Sequence, residues 1–366
     1  MRLTLWWPLA LLLFACGGSG GATEAVAPKG QPFSIELIVR TAENFHSTDD
    51  VARFVAQAAA HQVVVINLLV KQDEDAAIPS GAVYYRSALA PAAAGYETFD
   101  VLQTMLDAAH AKGLRVRAWM PQFHDQVAAT AHPAWQMMAK VGGTAQPYTG
   151  SRQTEYFVNP LSPEVQAYEL ALIREVLDHY AVDGLMLDWI RFDNHNMDVG
   201  PGTRQAYQAA TGIDPLTLDF TQPSAALERW NAFRTEGLAA YVKQVRQALP
   251  PGRDMGVYIL PPEFVEVGQD AARFNDQTDL LSPMCYFRDW GFPVAWVWQS
   301  CMATTVQKAG AAAVVPAMDM GLSDAQYSQI MGRLRSDFAG IRTLAWFHHG
   351  TWSEAQIRQV AQLSQP

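Results

Sequence analysis

Eight short apolar segments, each followed by a stretch with helical periodicity, constrain the fold of this chain more than any other feature. Most of them are continuously apolar, which is typical of parallel strands covered on both faces. They are residues 35–39, 63–70, 114–120, 184–189, 255–260, 280–286, 312–318 and 343–347. Strands that alternate with helices over the length of one domain predict a single (β/α)₈ TIM barrel. An open doubly wound sheet is the alternative, but no glycine-rich phosphate-binding turn supports it.

Capping and helix-ending signals place helices between these segments. The predicted helices cover residues 48–60, 99–112, 163–180, 228–249, 295–308, 323–338 and 353–363. Two connections are longer than a barrel requires, residues 71–98 after the second strand and 191–227 after the fourth. Both follow the C-terminal ends of strands, which is the face where the active sites of such barrels form.

The first residues predict export. Arg2 precedes an apolar run over residues 3–15, which is shorter than the roughly 20 residues of a membrane-spanning helix and typical of a signal peptide. Residues 13–16, Leu-Phe-Ala-Cys, resemble the lipobox of bacterial lipoproteins, which implies lipidation of Cys16. We predict a signal peptide over 1–15, a lipidated N-terminus with a flexible linker over 16–33, and the barrel over 34–366. The expected location is the cell envelope, at the outer membrane; an ordinary cleaved signal with a chance cysteine is the alternative.

Charge and missing motifs exclude several classes of function. The formal net charge is -10 at pH 7 and no basic run occurs, so nucleic acid is not an expected partner. No Gly-x-Ser-x-Gly turn, phosphate loop or Cys-x-x-Cys pair appears, and no cofactor is predicted. Cys285 and Cys301 form a disulfide in an oxidising compartment or remain buried thiols, and their spacing leaves both open.

A carboxylate ends the fourth predicted strand. The segment is apolar up to Asp188, which then stands between an apolar core and the wet mouth of the barrel. A carboxylate at the C-terminal end of a barrel strand is typical of a catalytic residue. A structural ion pair with Arg191 is the alternative. Asp183, before the strand, is expected to support the turn at the opposite rim.

The sequence around Asp188 carries several motifs in a fixed order. Asn159-Pro160 precedes a long helix, and residues 180–192 read Tyr-Ala-Val-Asp-Gly-Leu-Met-Leu-Asp-Trp-Ile-Arg-Phe. Residues 108–119, 230–234 and 281–286 extend the pattern. Together they resemble the bacterial glycoside-hydrolase-like barrel lipoproteins, with Trp189 and Phe192 in place of two tyrosines. The resemblance implies a barrel, a peptidoglycan or extracellular polysaccharide setting, and a strand-four aspartate at the centre of the site.

Glycoside hydrolysis usually needs two carboxyl groups that flank the scissile bond. We predict Glu263, just beyond the fifth strand, as the partner of Asp188, because neighbouring barrel strands end close together. The alternatives are Asp289, Asp319 and Glu43, the last with Arg40 nearby. A separation of about 5 Å indicates a retaining mechanism, and one of roughly 6.5–9.5 Å an inverting mechanism.

Further side chains near the strand ends are predicted to bind substrate. Arg191 either keeps Asp188 ionised or clamps an acidic group of the substrate. Aromatic rings at the rim are expected to stack on sugar faces, whereas packing beneath the rim is the alternative for each of them. The full set is Arg191, Trp119, Trp189, Tyr286, Trp290, Asp289, Asp319, Trp346 and His348.

Three functions fit these features. The first is a glycoside hydrolase that acts on a polysaccharide or peptidoglycan-type glycan. The second is a glycan-binding lipoprotein that lacks the second acid. The third is a metal-dependent polysaccharide deacetylase, which requires His124 and Asp125 to converge with His348 or His349 on one ion. We rank them in that order and predict no metal site, because no helical His-x-x-x-His spacing occurs.

Overall fold

The structure is a computed structural model that describes residues 30–150 and 155–366. The predicted signal peptide, Cys16 and most of the predicted linker therefore lie outside the described residues. Within the described ranges, no helix has the length and apolar character needed to span a membrane.

Eight parallel strands form the barrel, as the sequence predicts. The strands of the described chain are β1 (Ser34–Val39), β2 (Val63–Leu69), β3 (Arg115–Pro121), β4 (Met138–Val141), β5 (Thr144–Pro147), β6 (Gly184–Asp188), β7 (Asp254–Ile259), β8 (Leu280–Pro283), β9 (Ala317–Asp319) and β10 (Thr343–Phe347). All except β4 and β5 lie in one sheet, in the order β8-β7-β6-β3-β2-β1-β10-β9. Parallel bridges from Leu281 to Val314 and from Met284 to Ala317 join its two edges. The TIM-barrel prediction is confirmed.

Helices cover the outside of the barrel, and serine caps fix the start of five of them. The helices are α1 (Thr41–Asn44), α2 (Thr48–Ala60), α3 (Val101–His110), α4 (Gln126–Ala131), α5 (Pro163–His179), α6 (Pro201–Thr211), α7 (Ala225–Ala248), α8 (Ala271–Asn275), α9 (Ala303–Ala309), α10 (Asp324–Asp337) and α11 (Glu354–Ser364). The capping residues are Ser47, Ser162, Ser224, Ser323 and Ser353. Each accepts a hydrogen bond from the backbone N–H three residues later, which satisfies a donor that the helix itself leaves free.

A third long connection, residues 122–162 after β3, was not predicted. It contains α4 and the antiparallel hairpin of β4 and β5. These strands are short and largely outside the core, so they lack the apolar alternation that marks a strand. The Gly142-Gly143 pair was the available signal. Both residues have positive φ, 56° and 86°, as a tight hairpin turn of this kind requires.

A disulfide joins Cys285, just after β8, to Cys301 in a short π-helical turn, Val297–Met302. Of the two alternatives for these cysteines, the structure has the bridge. It ties the segment that follows β8 to the outer layer of helices. The next residue, Tyr286, lies at the mouth of the barrel, so the bridge lies next to a residue of the mouth.

Candidate active site

A cleft of about 220 Å³ opens at the C-terminal ends of the barrel strands. Asp188, the last residue of β6, lines it. Six of the predicted substrate-binding residues line the same cleft, namely Trp119, Trp189, Arg191, Tyr286, Asp289 and Trp290. The structure thus brings together most of the set that sequence reasoning placed at the mouth, while the role of each residue stays a prediction.

A larger groove of about 890 Å³ lies apart from this cleft, beside the starts of α5 and α6 and along α7. Its buried carboxylate, Asp198, accepts hydrogen bonds from the Met138 backbone N–H at 2.7 Å, from Asn159 at 2.8 Å and from Thr203 at 2.7 Å. The Asn159-Pro160 motif therefore anchors the loop before α6. The smaller cleft is the candidate active site, since the buried carboxylate of the larger groove is already held by these hydrogen bonds.

Asp188 is held by two N–H donors. The indole Nε1 of Trp119 donates to its Oδ2 at 3.1 Å, and the backbone N–H of Trp189 donates to its Oδ1 at 2.7 Å. Trp189 adopts the left-handed conformation, with φ of 54°, in the turn that leaves the strand. Burial raises the pKa of Asp188 above its ordinary value, while Arg191 and the two donors act in the opposite direction.

Asp73 is a second buried carboxylate in the cleft, and sequence reasoning missed it. It lies four residues beyond β2 and is 2% exposed. Arg40 donates to its Oδ2 at 2.8 Å, whereas its Oδ1 has no hydrogen-bond partner among the described residues. Burial raises the pKa of Asp73 to about 7; Glu74 and Asp188 add to this shift and Arg40 opposes it.

Arg40 connects the loops that follow β1 and β2. Its Nη2 also donates to Glu74 at 2.6 Å, and its guanidinium lies 5.5 Å from the centroid of the Phe347 ring. Glu43, one of the alternatives for the second acid, lies 3.9 Å from Arg40 and does not line the cleft. Arg40 therefore pairs mainly with the acidic residues of the loop after β2.

Arg191 stacks on the ring of Trp189, with 3.8 Å between the guanidinium carbon and the ring centroid. It is 9% exposed, and burial lowers its pKa. Its Nη1 lies 3.6 Å from Asp193 Oδ1, beyond hydrogen-bond distance. Its Nε has no hydrogen-bond partner in the described part of the chain.

Glu263, the predicted partner of Asp188, lies elsewhere. It is exposed, and its Oε1 accepts hydrogen bonds from Trp296 Nε1 at 2.8 Å and from the Ser300 hydroxyl. It does not line the cleft. The strand β7 ends before Pro261-Pro262, because proline has no N–H to donate to a strand ladder. Glu263 lies in the loop beyond them, with its carboxylate held by Trp296 and Ser300. The prediction of Glu263 as the carboxylate across the cleft is therefore corrected.

Two predicted substrate-binding residues at the end of β10 do not line the cleft, and in each case the next residue does. Trp346 is fully buried and packs against Tyr327 of α10, with ring centroids 6.0 Å apart, while Phe347 lines the cleft. His348 lies 3.0 Å from Gln356 of α11, and His349 lines the cleft instead. Successive side chains of an extended segment point to opposite faces, so a shift of one residue exchanges the core side for the cleft side.

The remaining carboxylates at the rim divide between two environments. Asp289 lines the cleft, with its Oδ2 3.5 Å from His349 Nε2. Asp319 lies outside it and is bound by Arg288 at 2.6 Å. The substrate-binding prediction for Asp319 is corrected, because this residue does not line the cleft.

The ligand set required for a metal-dependent deacetylase does not assemble. His124 lies 3.0 Å from Asp75, Asp125 pairs with Lys71, and His348 faces Gln356. Across residues 30–150 and 155–366, no group of three His, Cys, Asp or Glu side chains is arranged to hold a metal ion.

Comparison with sequence families places the chain among hydrolase-like proteins. The model of the family described as Glycosyl hydrolase-like 10 matches residues 39–258. "Glycosyl hydrolase DigH" of Escherichia coli (strain K12) is 26% identical over 172 residues, which cover 43% of this chain and 35% of that protein. The "S-layer-related protein" of Niallia circulans is 26% identical over 236 residues, covering 56% of this chain and 15% of that protein. The chain thus spans only a minor part of the length of these curated relatives.

Solved structures resemble the whole barrel. The PgaB (BpsB) glycoside hydrolase domain from Bordetella bronchiseptica has a TM-score of 0.70 at 14% identity, and the match covers 86% of this chain and 93% of that one. Alpha-L-fucosidase isoenzyme 2 from Paenibacillus thiaminolyticus has a TM-score of 0.60 at 15% identity, covering 91% of this chain and 49% of that one. At these identities the likeness establishes the fold alone.

Proposed function

Because the chain belongs to the glycosyl hydrolase-like 10 family, we propose that it hydrolyses glycosidic bonds in the cleft that holds Asp188 and Asp73. Family and fold make it a glycoside-hydrolase-type protein, and the proposal adds the site and the roles of these two residues. One observation carries it: two buried carboxylates line a single cleft at the barrel mouth. The glycan-binding alternative requires Asp188 to stand alone, whereas Asp73 accompanies it.

The environments of the two carboxylates suit different tasks. Hydrolysis needs one protonated carboxyl group, which protonates the leaving oxygen, and one carboxylate, which attacks or stabilises the sugar cation or activates water. Since its pKa is raised to about 7, about half of the Asp73 carboxyl groups hold a proton at neutral pH, which fits the role of acid. Asp188 accepts two N–H hydrogen bonds and lies near Arg191, which favours its ionised form.

Aromatic rings supply the surfaces that a sugar needs. Trp119, Trp189, Tyr286 and Trp290 line the cleft around the carboxylates. The Nε1 of Trp290 is buried and has no hydrogen-bond partner among the described residues. Apolar sugar faces pack on such rings while indole N–H groups bind polar atoms at their edges.

Loss of the Asp188 carboxylate tests the assignment. In the Asp188→Asn variant we expect turnover to fall by at least about 10²–10⁴-fold, the range that a positioned carboxyl group contributes. The release of reducing ends from exported polysaccharides and from peptidoglycan glycan strands measures the effect, and thermal unfolding checks the fold. Asp178→Asn, an exposed carboxylate on α5, is the matched control. Full activity in Asp188→Asn would remove the proposed centre.

We also propose that the protein is an exported lipoprotein, anchored at the outer membrane through Cys16, whose substrate is an envelope polysaccharide or peptidoglycan-type glycan. The apolar run over residues 3–15 and the lipobox-like tetrapeptide that ends at Cys16 support this setting. Cells supplied with labelled palmitate should incorporate the label into the chain and lose it in Cys16→Ser. A soluble, unlabelled wild-type product contradicts the anchor.

A further inference from the structure

We propose that Arg191 binds a carboxylate on the substrate, so that the cleft selects a glycan with an acidic sugar. The inference rests on the proposed function, because it places this sugar beside Asp188. It names a substrate class that neither the family nor the fold specifies.

The guanidinium of Arg191 is fixed in place but has unused donors. The ring of Trp189 supports one of its faces, at 3.8 Å, and the side chain is more than nine-tenths buried while lining the cleft. Its Nε meets no acceptor among the residues that the structure describes. This atom is shielded from solvent, so a ligand in the cleft would meet the Nη atoms, which make no hydrogen bond of normal length to Asp193. Buried charged donors without acceptors are costly, which favours a ligand at these atoms.

The neighbouring carboxylates already have donors of their own. Asp193, 3.6 Å from Arg191, accepts a hydrogen bond from the Tyr148 hydroxyl. Asp188 accepts from Trp119 and from the backbone N–H of Trp189. The guanidinium therefore lies near two carboxylates without a hydrogen bond of normal length to either, and its Nη donors remain available to a bound molecule.

Two other buried arginines in the described part of the chain hydrogen-bond through both Nη atoms, although the Nε of Arg234 also lacks a partner. Arg234 donates to the carbonyl oxygens of Asn194, Met197 and Glu266 and to the side chain of Asn231. Arg117 pairs with Glu36 at 2.7 Å and with Asp254 at 2.8 Å. Arg191 differs from them in its Nη atoms, which make no hydrogen bond of normal length within the described residues.

A carboxylate matches the site better than a phosphate. The planar guanidinium forms paired hydrogen bonds with either group. The cleft already contains the carboxyl groups of Asp73, Glu74, Asp188 and Asp289, so a doubly charged phosphate would add more negative charge than one guanidinium balances. A singly charged carboxylate fits, whether it belongs to a hexuronic acid or to a lactyl ether on an amino sugar.

Binding to matched pairs of tetrasaccharides tests the proposal. One pair is tetragalacturonate and its carboxyl-reduced form, and the other is a peptide-free peptidoglycan tetrasaccharide and its carboxyl-reduced form. Calorimetry in the Asp73→Asn background limits turnover during the measurement. We expect an acidic sugar to bind at least about tenfold more tightly than its reduced form, equivalent to about 1.4 kcal/mol. The pair that shows this preference identifies the source of the carboxylate.

The preference should disappear in Arg191→Gln and persist in Arg204→Gln, a half-exposed arginine on α6 that pairs with Asp214. Thermal unfolding checks that each variant is folded. The proposal is overturned if neither pair shows a preference, if no tetrasaccharide binds, or if the preference survives in Arg191→Gln. If the proposed hydrolysis fails instead, the wild type releases no reducing ends although the Arg191-dependent binding remains, so the two failures are distinguishable.

Discussion

Two groups of buried charges lie close to the end of β2, and they differ in how completely their charges are paired. In the closed cluster, Lys71 Nζ lies 2.7 Å from both carboxylate oxygens of Glu169 and 2.8 Å from Asp125 Oδ2. It also donates to the Gln122 carbonyl at 3.2 Å. All three charged side chains are fully buried. The closed cluster thus joins the loops after β2 and β3 to α5.

Asp73, two residues after Lys71 in the chain, lies in the cleft, where the charges are only partly paired. Asp73 Oδ1 and Arg191 Nε lack hydrogen-bond partners among the described residues. Buried charge is tolerated where an opposite charge or a hydrogen bond compensates it. Asp125 Oδ2 of the closed cluster also lacks a hydrogen-bond partner in the described part of the chain, but it lies 2.8 Å from Lys71 Nζ. Close pairing with an opposite charge thus marks a structural cluster, whereas open donors and acceptors in a cleft mark a place where a ligand completes the pairing.

The largest expected effect comes from breaking the closed cluster. Lys71→Met should lower the free energy of unfolding by about 3–5 kcal/mol, because it leaves the buried carboxylates of Asp125 and Glu169 without their cation. Urea unfolding at neutral pH measures the change. A loss below about 1 kcal/mol would show that the closed cluster does not stabilise the fold. The distinction between a structural cluster and the cleft would then fail.

A substitution in the cleft should lower activity without lowering the free energy of unfolding. Asp73→Asn is expected to reduce kcat by about 10²–10⁴-fold, since the amide cannot protonate the leaving oxygen. Its free energy of unfolding should stay the same or rise, because the change removes a buried carboxyl group whose pKa is raised. Steady-state kinetics and urea unfolding of the same preparation separate the two effects. Retained kcat would transfer the acid role to Asp289, which also lines the cleft.

The pH profile supplies a second readout for Asp73. A general acid must hold its proton, so kcat/KM should fall as pH rises through about 7, and this alkaline limb should be lost in Asp73→Asn. Because the pKa is raised on folding, the contribution of Asp73 to stability is complete below its unfolded pKa and is lost as pH rises through about 7. The acid limb, from Asp188, should lie above the ordinary pKa of an aspartate.

The barrel was predictable because most of the buried parallel strands are continuous apolar runs, and the position of Asp188 was predictable because it ends one of them. Asp73 was missed because a run of Asp73, Glu74 and Asp75 has the composition of a solvated loop. Its burial depends on Arg40 from another strand end, which is a tertiary contact. The family resemblance pointed to Asp188, but it implied no residue to accompany it.

Errors at the strand ends have a local cause. Trp346 and Phe347 are neighbours, yet one packs under α10 and the other faces the cleft. The alternation of an extended chain is strict. A strand assignment that is uncertain by one residue therefore cannot decide which ring faces the cleft. The hairpin of β4 and β5 was missed for a different reason, since its stability comes from pairing and turn geometry rather than from apolar burial.

The smallest expected effect belongs to Glu263→Gln, which separates the cleft from the rest of the rim. Glu263 is exposed and accepts hydrogen bonds from Trp296 and Ser300, and the amide oxygen of glutamine keeps an acceptor for both. Exposed substitutions of this kind change stability by less than about 0.5 kcal/mol. We therefore expect kcat to change by less than about twofold, measured beside Asp73→Asn on the same substrate. A tenfold loss in Glu263→Gln together with an active Asp73→Asn would mean that the loop after β7 closes over the bound glycan and supplies the acid. In that case the pairing of a charge in the free protein would no longer distinguish structural from catalytic carboxylates.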